Sequence, residues 1–120
     1  MIAGIGFRSA ATVASLRDAL ARAGVSDPCR VALPEVKADH PACAELSVQG
    51  FTLIPVSPAA IRAAPTLTRS AHALAAHDTG SVAEACALAA AGSGARLAGP
   101  RSVSGDGMAT AALALCKESS

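Results

Sequence analysis

The stretch Met1-Ile-Ala-Gly-Ile-Gly-Phe-Arg8 sets the terms for the whole chain, because a short apolar run there passes through two glycines into an alanine-rich helical pattern. A brief apolar run bounded by turn residues reads as a buried strand. Gly4 and Gly6 would let the backbone take positive φ and let a ligand approach the main chain closely. Ser9 is a good N-cap for a helix running to about Ala23. The free amides at such a helix start, with the dipole behind them, favour an anion, and Arg8 stands beside them. Gly4-x-Gly6-x-x-Ser9 is a partial dinucleotide fingerprint with serine in place of the third glycine. The plainer reading is a tight β–α turn.

The same alternation continues. Val13, Leu16 and Leu20 form one apolar stripe, and Gly24 stops the helix. Arg30 to Glu35 reads as a second strand, limited by Pro34. Lys37 and Asp39 fall in the loop where it ends. Asp39 is placed as N-cap of a helix from His40 to about Val48, with Pro41 tolerated in the first turn. Phe51 to Val56 is a third strand, followed by a short helical turn capped by Ser57 and reaching Arg62. Residues 64–79 lose periodicity and read as a loop able to cover a site. Ser81 and Glu84 make a capping box for a buried helix from Val82 to Ala91, with Gly80 exposing amides in front of it. Ala95 to Ala98 is a short fourth strand. A Gly/Ser-rich loop over 99–108 then leads to a last strand, Ala109 to Cys116. That connection is too short for a parallel crossover, so the last strand must run antiparallel.

These elements predict an α/β fold: a three-layer α/β/α sandwich in one domain, 1–120, around a mixed five-stranded sheet. The sheet is mostly parallel with the C-terminal strand antiparallel. Ligands of such sheets bind beyond the carboxyl ends of the strands. This gathers Gly4, Gly6, Arg8, Ser9, Lys37, Asp39, Gly80, Ser81 and Glu84 on one rim as candidate ligand contacts. Asp39 and Glu84 are also the candidates for acid–base work, although capping explains each equally well.

Several function classes drop out. The chain has 52% hydrophobic but only 2% aromatic residues, and a net charge of +1 with no basic run, so nucleic-acid binding is not expected. No apolar stretch is long enough to span a membrane, and Arg8 follows the first apolar run where a signal peptide would need it to precede. The chain therefore reads as cytoplasmic. Cys29, Cys43, Cys86 and Cys116 are too widely spaced for a zinc knuckle or redox pair and read as small apolar residues. His40 and Cys43 share a helix face without further ligands, and His72 and His77 share none, so neither a metal nor a cofactor is assigned. A nucleotide site has Glu35 at a strand end in its favour. The missing third glycine, Pro34 and the short chain count against it.

Taken in order, Gly4-Ile-Gly-Phe-Arg8, Lys37-Ala-Asp39, Ser70, Gly80-Ser-Val-Ala-Glu-Ala85, Pro100-Arg101 and Thr110-Ala-Ala112 resemble the CobE family, which is also the C-terminal domain of CbiG. The resemblance covers nearly the whole chain; each motif is weak but the ordered set is specific. It implies a role in cobalamin biosynthesis. Members of full CbiG type open a lactone ring on a cobalt-precorrin, releasing acetaldehyde, and carry a further N-terminal region. The present chain is most similar to the standalone CobE form. The family often has Asp-Glu-Pro where this chain reads Asp39-His40-Pro41, which counts against a general-acid role for a second carboxylate there. The expected ligand is a precorrin or corrinoid intermediate, whose many carboxylates suit a rim of Arg8, Lys37 and helix N-termini. Two alternatives stay open: an enzyme of hydrolase or isomerase type working through Asp39 or Glu84, and a factor that binds other enzymes of the pathway.

Overall fold

A computed structural model describes residues 1–66, 74 and 81–116. Along the chain lie β1 (Ile2–Phe7), α1 (Val13–Arg22), β2 (Arg30–Pro34), a 3-10 turn (Glu35–Lys37), α2 (Pro41–Val48), β3 (Thr52–Val56) and α3 (Pro58–Ala63). After these come α4 (Val82–Ala91), β4 (Arg96–Leu97), β5 (Ser102–Val103) and β6 (Ala109–Leu115). The sheet order is β3-β2-β1-β6-β4, with β5 also on β6. β1, β2 and β3 are parallel, and β6 runs antiparallel to β1, β4 and β5. The expected mixed sheet with a reversed last strand is what forms.

Strand alternation splits the core into the two faces of a three-layer sandwich. Ala3, Ile5, Val31 and Leu33 point to the side of α1 and α2, where they meet Leu16, Leu20, Cys43 and Leu46. Ile2, Ala32 and Val56 point the other way, onto Ile61 of α3 and Ala85 and Cys86 of α4. Gly4 and Gly6 share the phase of Ile2 and so lie on the α4 face. A Cβ built on Gly4 would overlap the Ala83 carbonyl oxygen and sit 2.5 Å from Ala87 N and 2.9 Å from Ala87 Cβ. The glycine is there so that an alanine-faced helix can lie directly on the strand. Neither Gly4 nor Gly6 has positive φ. The predicted glycine turn between strand and helix is therefore corrected: both glycines are inside β1.

Two caps also differ from expectation. α1 begins at Val13, not at Ser9, because Thr12 and Ser15 close a reciprocal box: Ser15 N donates to Thr12 Oγ1 at 3.3 Å and Thr12 N to Ser15 Oγ at 3.2 Å. For α2 the cap is His40 in place of Asp39, since the imidazole Nδ1 accepts from Ala42 N at 3.1 Å. Of the capping box read at α4, the Ser81 half forms, with Ser81 Oγ accepting from Glu84 N at 3.4 Å.

The sixth strand, β5, lies within the Gly/Ser-rich connection. From Leu97 to Ser102 the sheet edge advances five residues while β6 advances three, from Ala111 to Ala114. The edge thus carries a bulge of two extra residues between β4 and β5. Among the described residues no helix is long and apolar enough to cross a membrane.

Candidate functional site

The carboxyl ends of β1 and β2 open onto one edge of the sheet, and the chain returns from each into the N-terminus of a helix. α4 starts at the same edge, with Val82 beside Gly6, where a built Cβ would lie 3.0 Å from Val82 Cβ. His40 Nε2 lies 2.8 Å from the Ser9 carbonyl oxygen, tying the exit of β1 to the start of α2. The His40 ring meets Phe7 edge to face, with centroids 5.0 Å apart. Lys37 Nζ stands 5.5 Å from the centroid of the same Phe7 ring. Phe7, Ser9, Lys37 and His40 thus form one cluster at the strand ends.

The candidates read from the sequence divide in three. Arg8, Ser9, Lys37 and Asp39 lie on this edge with exposed or half-exposed side chains. Arg8 N donates to Met108 O at 2.9 Å, which places the β5–β6 turn next to it. Gly4, Gly6, Ser81 and Glu84 are buried, Ser81 and Glu84 with 0% exposure. The close approach that Gly4 permits is made by α4, whose Ala83 and Ala87 lie against it. Gly80, His72 and His77 lie outside the described residues, as does most of the expected covering loop over 64–79.

Glu84 has a long-range partner that spacing could not reveal. Its Oε2 accepts from Arg101 N at 2.8 Å. Arg101 belongs to the bulge between β4 and β5, so the buried carboxylate takes up a main-chain donor that the interrupted ladder frees. A carboxylate so enclosed is suited to holding the edge strand and poorly suited to exchanging protons with a ligand on the rim.

The edge also contains groups the sequence reading passed over. Asp106, in the β5–β6 turn, accepts from Ser15 Oγ at 2.6 Å, Ser104 Oγ at 2.5 Å and Met108 N at 3.0 Å. The two serine hydroxyls, then the Met108 amide, hold its carboxyl down at about 2. Next to it Gly105 N donates to Asp18 Oδ2 at 2.7 Å, and this bond, ahead of the Arg22 pair, lowers the Asp18 pKa. Together they bolt the turn beside Arg8 onto α1. Phe7 and His40 were legible only as a strand end and a possible metal ligand. His40 uses Nδ1 on its cap, and Cys43 donates its thiol to Lys37 O at 3.5 Å. Burial pushes the Cys43 thiol up. Among the described residues no group of three or more His, Cys, Asp or Glu is placed to hold a metal.

A separate groove of about 390 Å³ lies between α3 and the far end of α4, lined by Ala60, Ala64, Pro65, Leu88, Gly92 and Ala95 among others. It contains none of the rim candidates.

The sequence pattern of the cobalamin synthesis G C-terminus family matches residues 1–114. The chain belongs to this family. Among solved structures it is similar to CobE, a protein from the cobalamin (vitamin B12) biosynthetic pathway, at 32% identity and a TM-score of 0.79, covering 94% of this chain and 90% of that one. It is also similar to the cobalamin biosynthesis protein chiG of Agrobacterium tumefaciens, at 36% identity and a TM-score of 0.65, covering 98% of each chain. No curated protein matches at a significant level. The family and these neighbours make the chain a cobalamin biosynthesis protein.

Proposed function

We propose that the chain binds a precorrin, a corrinoid precursor, at the Phe7–Lys37–His40 rim and passes it on within cobalamin biosynthesis. The observation that carries this reading is the Lys37 ammonium, held over Phe7 at the strand ends with no carboxylate among the described residues paired to it. Among the described residues the one ion pair is Arg22 with Asp18, on α1. Precorrins are broad, flat rings edged with carboxylates. Lys37 and the neighbouring Arg8 offer charge-assisted hydrogen bonds to such groups, and the starts of α1, α2 and α4 add their dipoles. The enclosure of Glu84 favours binding over acid–base chemistry.

Titration of the purified chain with successive precorrin intermediates, followed by visible absorbance and gel filtration, tests the proposal. A spectral shift with co-elution is expected for at least one intermediate. Absence of both for every intermediate sinks the reading. Mass analysis of the same mixtures separates binding from catalysis: conversion that Asp39→Asn abolishes while binding survives would favour the enzyme. Co-elution with other pathway enzymes, without any precorrin bound, would favour the protein-binding role.

A further inference from the structure

His40 joins more parts of the rim than any single cap requires. Its Nδ1 accepts from Ala42 N at 3.1 Å, while its Nε2 lies 2.8 Å from the Ser9 carbonyl oxygen. A carbonyl can only accept, so Nε2 carries the proton and Nδ1 the lone pair. The ring is then the neutral Nε2–H tautomer, with both nitrogens committed to main chain. The ring meets Phe7 edge to face with centroids 5.0 Å apart, and Phe7 in turn carries Lys37 Nζ 5.5 Å from its centroid.

We infer that His40 is a positioning residue of the binding rim: in its neutral form it sets the exit of β1 against α2 and so places the Lys37 ammonium for a ligand carboxylate. The inference rests on the corrinoid-binding reading. Because neither ring nitrogen is available to a ligand, His40 acts through Ser9, Phe7 and Lys37.

Two measurements on the full chain test this. Imidazole nitrogen NMR at pH 8 should show Nε2 protonated and Nδ1 unprotonated for His40; the reverse tautomer overturns the inference and leaves the binding reading intact. Visible titration at pH 8 with cobyrinic acid, a corrin ring bearing free carboxylates, compares the wild type with His40→Asn, which keeps a capping oxygen but is too short to reach Ser9. The variant should fold and bind about fivefold more weakly, the size of one lost hydrogen bond. Equal affinity of wild type and His40→Asn overturns the inference alone. No binding by the wild type overturns both the inference and the corrinoid reading.

Discussion

Replacing Gly4 by alanine puts a methyl group where α4 already sits. The new Cβ would overlap the Ala83 carbonyl oxygen and come within 2.5 Å of Ala87 N and 2.9 Å of Ala87 Cβ. Two of those three atoms are helix main chain, which cannot swing aside as a side chain can. Either α4 lifts off β1, opening the face that buries Ile2, Ala85 and Cys86, or the strand bends. Overpacking of this kind costs roughly 1–3 kcal/mol and more where backbone must move. Alanine regains about 0.5–1 kcal/mol of backbone entropy because Gly4 has no positive φ. A net loss of about 2 kcal/mol or more is expected, a large part of a stability that is typically about 5–15 kcal/mol. Gly6→Ala is the internal control. Its Cβ would meet Val82 Cβ at 3.0 Å and Thr110 Oγ1 at 3.1 Å, contacts that a shift of a few tenths of an ångström relieves, so the cost should be smaller than at Gly4, about 1 kcal/mol. Urea unfolding followed by far-UV circular dichroism reads both. If Gly4→Ala leaves the midpoint within error of the wild type, the packing account of the glycine is wrong and the ligand-approach reading returns.

Glu84→Ala should destabilise by about 1–3 kcal/mol, because the Arg101 amide loses its buried acceptor; a stable variant defective only in turnover would instead mark Glu84 as catalytic. Asp106→Asn should flatten the acid limb of the stability profile. The carboxyl is lowered from 3.8 to about 2, so its contribution is full above about pH 4 and is lost as pH falls through about 2; an acid limb identical in variant and wild type counts against the bolt between the β5–β6 turn and α1. Cys86 is fully buried and its thiol is pushed up to about 12, so a thiol reagent at pH 8 should label Cys86 only after unfolding. Rapid native labelling of Cys86 would contradict the packing of α4 on the sheet.

The alternation of short apolar runs with helical stretches made the layers and the direction of β6 readable, since a connection without a helix cannot cross over. What misled was local chemistry that several neighbours could perform. Ser9, Thr12 and Asp39 are all good caps by residue type. Thr12 won at α1 because Ser15, three residues on, returns the bond, and His40 won at α2 because an imidazole nitrogen can accept as a carboxylate does. β5 was hidden because a two-residue strand beside a bulge has no period to detect. Asp106 and Arg101 were hidden because their partners lie 91 and 17 residues away. The rim itself was half legible: Lys37 and Arg8 stood out as cations at strand ends, while Phe7 and His40, which hold Lys37, read as ordinary. The two glycines that opened the case for a ligand turned out to serve helix packing.

The claim at the centre of this account is that Lys37 meets a carboxylate of a corrinoid precursor at the rim. Visible-absorbance titration of wild type and Lys37→Glu with the same precorrin, at low and at moderate salt, tests it most directly. The account predicts saturable binding by the wild type that weakens with salt, and a loss of about tenfold or more in Lys37→Glu, in the range expected for losing a charge-assisted bond and gaining repulsion. Equal affinities for the two proteins, with no response to salt, would contradict it.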